Sequence, residues 1–199
     1  YKRQVYGRRT FSDGQTGVSL SPEVLLIDVS HINPKPLNAF KFKLWDTFGI
    51  ASTDYERFWD FEQYVRLADP ALACLSGLGA VGPQNECVIL AHEFMGMPTA
   101  LAGLLDAEHD YRAVFYAHEV APVRKVVEDH PGHDTMFYNV LRQAKRDNLF
   151  MEDVFGDQRH FFKHALVQAS RFCDNILAVG DEVVNELRFL APSFRHIDL

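Results

Sequence analysis

The sequence offers little to tie it to a membrane, to nucleic acid or to an oxidising compartment. No uninterrupted apolar run approaches the ~18 residues that a membrane-spanning helix needs. The opening Tyr1-Lys2-Arg3-Gln4 is followed by no apolar h-region, so a signal peptide is not expected. A starting Met is lacking too, which reads as a trimmed product or a piece of something larger. Cysteine is scarce. Cys74, Cys87 and Cys173 are odd in number and sit in apolar segments, which points to reduced, buried thiols in a cytoplasmic protein and away from a disulfide framework. Basic charge is outweighed, with 20 Lys and Arg against 27 Asp and Glu for a net charge of -7, so no general nucleic-acid surface is expected. No G-x-S-x-G occurs, and Ser76-Gly77 follows a helical pattern rather than a strand. Residues 77–82 have the spacing G-x-G-x-x-G, but they precede a strand where a dinucleotide site must follow one. That match is read as chance, which removes the support for an α/β oxidoreductase. Repeats and low-complexity tracts are also lacking.

What is present centres on residues 87–119. The run CVILAHEF ends in His92-Glu93, and AVFYAHE ends in His118-Glu119. Between them lies a helix-length segment rich in Leu, Ala and Met. Short apolar runs separated by a helix read as buried parallel strands of a βαβ unit. Charge that appears where such a strand stops marks the carboxyl edge of the sheet, where open α/β sheets bind ligands. One His-Glu pair can simply cap a strand; its repetition at two strand ends points to a single polar site.

The flanks extend the pattern. Residues 1–17 read as a loop or an edge hairpin turning at Asp13-Gly14, with Arg8-Arg9 as an exposed basic pair. Residues 23–31 (EVLLIDVSH) form a strand between Pro22 and the breaker cluster Asn33-Pro34-Lys35-Pro36, ending at a third histidine, His31. In residues 37–49, Phe40, Phe42 and Leu44 alternate with Lys41 and Lys43, which suggests a half-exposed strand. Ser52-Thr53-Asp54 caps a long helix with the stripe Phe58, Phe61, Val65, Ala68, Leu72 and Leu75; its crowded aromatics read as core. Asp69-Pro70 either kinks that helix or starts another.

Residues 123–157 are too long for a plain connection of about 2–6 residues. They read as a helical insertion near the site, a lid or a contact surface, with helices at 123–128 and 134–148, a loop at His130-Pro131-Gly132-His133 and a loop over 149–157. A helix follows over 158–173. His160 and His164 lie one turn apart on it at a zinc-binding spacing, but no Glu follows His160 and no third ligand is near, so no metal is expected. Residues 174–179 form the next strand. Gly180 leads to a helix over 181–190 with Asp181 as cap; Pro192 ends it, and 194–199 begin a further strand. This order predicts an α/β, Rossmann-like parallel sheet wrapped by helices. Its polar rim of His31, His92, Glu93, His118, Glu119 and Gly180-Asp181 suits a ligand with many hydroxyls, because carboxylates accept and a neutral His both donates and accepts.

These residues carry a resemblance. LAHEF at residues 90–94 resembles the H-x-H-D/E-W segment of glycogen and starch synthases, and FYAHEVAP at 115–122 resembles their T-I-H-N segment. Residues 161–187 are similar to the helix, strand and TVS…E stretch that follows, and residues 54–78 to their aromatic helix. The order and spacing agree over roughly residues 23–190. Phe94 stands for Trp, Glu119 for Asn, Gly180 for Ser and Leu90 for the first His. The chain is thus similar to the amino-terminal domain of a retaining glycosyltransferase with two Rossmann-like domains. The resemblance implies that residues 1–199 supply the sugar-side wall of an interdomain cleft, between a phosphate-contacting loop before Tyr1 and a nucleotide-binding domain after Leu199. It implies His118 as the catalytic residue contacting the donor sugar, Glu93 and His92 bordering the sugar, and Glu186 as structural; Glu119 and His31 complete the expected substrate-binding set. No cofactor is expected. The partners would be a nucleotide sugar such as ADP- or UDP-glucose and a glucan such as glycogen, and this chain alone would be inactive. The rival expectation is a non-catalytic carbohydrate- or partner-binding domain, which Glu119 and the insertion favour.

Overall fold

The structure is a computed structural model that describes residues 4–129 and 133–195. It is mixed α/β, with a parallel sheet of three strands, ordered in space as in the chain, compatible with a Rossmann-like fold. The strands are β5 (Cys87–His92), β6 (Tyr111–Ala117) and β7 (Asn175–Ala178). β5 and β6 are joined through α3 (Glu93–Leu104), so the predicted βαβ unit is present. Asp174 fastens β7 to β6: its carboxylate accepts from the Ala113 N–H at 2.8 Å and from Arg112 at 3.3 Å.

Register assigns side chains to the two faces. Leu90 pairs with Val114, His92 with Tyr116, and Tyr116 with Leu177. Cross-strand partners share a face. One face therefore carries Ile89, Ala91, Ala113, Phe115 and Ala117, and the last four of these are wholly buried. α3 packs on it closely. A Cβ placed on Gly96 would come within 2.7 Å of the Ala91 Cα, and one on Gly103 within 2.6 Å of the Ile89 Cδ1. The two glycines let helix and sheet approach more closely than any side chain allows. The opposite face is bare: Val88 is 61% exposed, Leu90 54%, Leu177 46% and Val179 48%.

The amino-terminal part departs from expectation. β4 (Glu23–Ile27) pairs antiparallel with β1 (Gln4–Arg8) in a sheet of its own, so the strand that ends near His31 is outside the parallel sheet. β2 (Phe11–Ser12) and β3 (Ser19–Leu20) make the predicted hairpin, with Asp13 at its turn. Residues 37–49 are not a strand but most of α1 (Pro34–Phe48). Leu37, Phe40, Leu44 and Phe48 are buried at helical spacing, and the supposed breaker cluster is its start. The Asn33 side chain caps the Lys35 N–H at 3.0 Å, Pro34 fills the first turn, and Gly49 closes the helix at φ 73°. Lys41, which suggested the exposed side of a strand, is buried. Its ammonium pairs with Glu62 and, at 2.8 Å, with Glu56.

α2 (Trp59–Gly77) begins later than Ser52, which instead opens a single tight turn over residues 52–54. Pro70 lies inside α2 and does not end it. Tyr55, Phe61, Phe94 and Phe162 form a chain of ring contacts with centroids 5.2–6.1 Å apart, so these aromatics are core. They join α2 and α3 to α7 (Phe162–Ala169), which also packs on α4 (Ala121–Glu128).

The insertion is helical. α5 (His133–Asp147) follows α4, and α6 (Met151–Phe155) replaces the loop expected over 149–157, with Met151 wholly buried. Phe137, Phe155 and Phe189 anchor both to α8 (Asp181–Leu190), with ring centroids 6.3–6.5 Å apart. α8 covers the expected residues, but its cap is Gly180, in extended backbone, and not Asp181, which is the first helical residue. Residues 192–194 form a tight turn where a strand was expected to start. The rest of that expected strand (196–199), the first three residues and most of the HPGH loop (130–132) lie outside the described residues. Among the described residues no helix is long and apolar enough to cross a membrane, and the three cysteines are half-buried and in no disulfide.

Candidate functional site

Three rings meet at the carboxyl end of the parallel sheet, on its bare face. His92 and His118 have centroids 4.5 Å apart, Tyr116 and His118 4.6 Å, and His92 and Tyr116 5.9 Å. Strand alternation explains this. His92 pairs with Tyr116 across β5 and β6, and His118 follows Tyr116 by two residues. The predicted convergence of His92 and His118 is therefore present. Tyr116 was not anticipated, although its place two residues before His118 in a strand was the available signal. The ring cluster does not include His31, which follows β4. His31 is exposed, its Nδ1 lies 2.9 Å from Ser30 Oγ, and the Ser30 carbonyl accepts from Arg66 of α2 at 3.4 Å.

The two glutamates part company. Glu119 stays at the surface, its carboxylate 3.9 Å from Arg124 of α4. Glu93 turns inward and is 6% exposed. The chain passes from β5 into α3 at this one residue, which takes the left-handed conformation at φ 58°. That costs a non-glycine residue on the order of 1 kcal/mol. The turn drops the carboxylate between the ends of β5 and β6. Its Oε1 accepts the N–H of His118 and, at 3.0 Å, the N–H of Glu119. Its Oε2 is buried with no partner among the described residues.

A second layer supports the rim. Arg124 also reaches the wholly buried Glu186 of α8 at 3.5 Å, and Tyr138 of α5 donates to Glu186 Oε1 at 3.2 Å. Burial pushes the Glu186 carboxyl up from the usual range, outweighing Arg124 and Tyr138. Glu186 thus ties the insertion to the sheet end through Arg124. Sequence reasoning had no signal for Arg124 or Tyr138, which are isolated polar residues on helices.

The helix expected over 158–173 is shorter, so His160 precedes α7 and only His164 lies on it, though both line one cleft. His164 is 2% exposed, its Nε2 lies 3.7 Å from Glu152, and burial drives it down to about 4. Among the described residues no group of three or more His, Cys, Asp or Glu is placed to hold a metal ion. His164 lines a cleft of about 1020 Å³ with Tyr55, Glu152 and Arg159, and none of the expected site residues lines it. The cleft's Arg159 is already held by both oxygens of Asp157 at 2.7–3.0 Å. Volume alone does not make it the better site; the sheet end is where two of the expected histidines come together. Comparison of the sequence with protein families and with curated proteins returned no match.

Proposed function

We propose that the chain is the sugar-side domain of a retaining glycosyltransferase that moves a glucosyl unit from a nucleotide sugar to a glucan. The observation that supports this best is the gathering of His92, Tyr116 and His118 on one sheet face, above the buried Glu93 carboxylate. The rings supply flat surfaces and hydrogen-bonding edges for a sugar. In the transfer, the bond from the anomeric carbon to the diphosphate oxygen breaks and its electron pair leaves with the diphosphate. The acceptor hydroxyl oxygen bonds to the same face of the carbon, and its proton passes to the departing diphosphate oxygen. His118 would contact the donor sugar; His92, Tyr116 and Glu119 would border it, and His31 would serve only a longer acceptor. Cysteines in no disulfide suit a reducing, cytoplasmic setting.

The test uses the full-length protein with ADP-glucose or UDP-glucose and glycogen as acceptor, following nucleoside diphosphate release. Glycogen-dependent release that falls about 100-fold or more in His118→Ala supports the reading. Its absence with both donors overturns it. The second reading, a non-catalytic carbohydrate- or partner-binding domain, is favoured by the bare apolar face of Val88, Leu90, Leu177 and Val179. Glycogen binding that needs no sugar nucleotide, without turnover, would select it.

A further inference from the structure

A cavity of about 340 Å³ opens between α5 and α8, and none of the sheet-end residues lines it. That volume lies within the range of small-molecule sites. Helical spacing builds two of its walls. Leu141 and Lys145 stand one turn apart on α5, and Asn185, Arg188 and Phe189 share one face of α8. The third wall is a turn. α5 is followed by Asn148, which takes the left-handed conformation at φ 60°, and the Leu149 N–H returns to the Ala144 carbonyl at 2.9 Å. This reversal brings Leu149 and Phe150 to the cavity, and Arg195, beyond the end of α8, completes the lining.

The lining divides by chemistry. Leu141 and Phe189 are buried, and with Leu149 and Phe150 they make one apolar surface. Lys145, Arg188 and Arg195 add three cations, and no carboxylate lines the cavity. The chain carries 27 Asp and Glu against 20 Lys and Arg, so acidic side chains are not in short supply. Elsewhere on the surface the signs do interleave: Arg159 meets Asp157, Lys125 meets Asp129 and Arg112 meets Asp174. At the cavity, Lys145 donates instead to the amide oxygen of Asn185 at 3.5 Å, and Arg195 to that of Asn148. The Arg195 guanidinium also lies over the Phe150 ring, 4.6 Å from its centroid. A neutral amide orients a cation and leaves its charge uncompensated. Like charges around a partly enclosed apolar space repel more strongly than on open surface, and an anion that enters removes that repulsion.

We propose that this cavity binds a small organic anion. Its apolar body would lie against Leu141, Leu149, Phe150 and Phe189, and its carboxylate or phosphate head would meet Lys145, Arg188 and Arg195. Guanidinium groups suit such heads, because a planar fork donates two parallel hydrogen bonds to paired oxygens. The apolar surface gives the body its share of the affinity, so a bare inorganic anion is a poorer ligand. The proposal does not rest on the glycosyl-transfer reading, since the site is separate and its readout is binding.

The test is isothermal titration calorimetry of the full-length protein with 1-naphthoate, 1-naphthyl phosphate, 1-naphthol and inorganic phosphate. These probes share or lack the two halves of the ligand. At least one naphthyl anion is expected to bind with a Kd of about 100 µM or below, and 1-naphthol and inorganic phosphate about tenfold more weakly or worse. The tighter of the two anions names the head. Arg195→Ala is expected to weaken that anion about tenfold, and Leu149→Glu, which sets a carboxylate at the cavity, by at least as much. Both residues are exposed, so neither change removes core packing. Arg146→Ala removes a cation of α5 that does not line the cavity, and it leaves binding unchanged. Equal binding of 1-naphthol overturns the proposal, as does an equal loss in Arg146→Ala. Binding that survives both Arg195→Ala and Leu149→Glu overturns it too, and so does the absence of binding by either naphthyl anion at about 1 mM.

Discussion

The two faces of the parallel sheet are built from the same three strands and differ in almost everything else. One carries Ala91, Ala113, Phe115 and Ala117, all buried beneath a helix that two glycines bring close. The other carries Val88, Leu90, Leu177 and Val179, largely exposed, and ends in His92, Tyr116 and His118. Parallel strands are usually covered on both faces, which is why both faces of β5 read as apolar. The covered face makes the domain stable, and the bare one leaves room for chemistry at its carboxyl end. Glu93 joins them: its backbone begins the helix of the covered face, and its carboxylate fixes the turn that bears His118.

The sharpest way to break this comparison is to truncate the covered face. Phe115→Ala removes a wholly buried ring from the central strand. It is expected to cost about 3–5 kcal/mol in urea unfolding, through lost burial and the cavity left behind. A cost below about 1 kcal/mol would mean that this face is not the core.

Acid sensitivity offers a second contrast, because histidines lie both on the bare face and in the core. Burial lowers His164 from 6.5 to about 4, so the folded state holds it neutral where the unfolded chain takes up a proton. The stability this represents is complete above pH 6.5, is lost as pH falls, and is gone below about pH 4. A shift of that size corresponds to about 3 kcal/mol. Asp157, the nearby carboxyl held at about 2 by Arg159, loses its contribution only below the usual carboxylate range, so the two windows separate. Stability of His164→Gln measured between pH 6.5 and 4 is expected to be flatter than wild type. If His92→Gln flattened it instead, the acid-sensitive group would lie on the bare face.

Gly96 tests the closeness of helix and sheet. Ala at this position would put its Cβ 2.7 Å from the Ala91 Cα, a backbone atom that cannot swing aside. A loss of about 1–3 kcal/mol is expected from this overpacking, against the ~0.4–1 kcal/mol that Gly→Ala usually gains at a compatible position. A gain in stability would show that α3 rides higher on the sheet.

How legible was all this in the sequence? The βαβ unit was, because run length and the abrupt charges at His92 and His118 are local signals. α1 was not, because Lys41 is buried by Glu62 and Glu56, which lie 21 and 15 residues further on. A pattern that assumes lysine faces water reads such a helix as an alternating strand. The separate pairing of β4 with β1 was equally hidden, since an apolar run does not state its partner. At the site the histidines were visible, but the inward turn of Glu93 depends on a single backbone dihedral that composition does not encode. Tyr116 could have been found by strand parity alone.

The smallest expected effect is also the most discriminating for the bare face. Leu177 is 46% exposed and pairs in register with Tyr116, beside the ring cluster. Its side chain already meets water, so Leu177→Ala forfeits little burial. A change within about 0.5 kcal/mol is expected by urea unfolding, as for other surface positions. The contrast with Phe115→Ala is what matters, because the two residues lie on adjacent strands and differ chiefly in face. A cost near that of a buried leucine, about 2–5 kcal/mol, would mean that something covers this face in solution. Concentration-dependent stability of the same variant would then identify the cover as a second copy of the chain, since association stabilises by mass action.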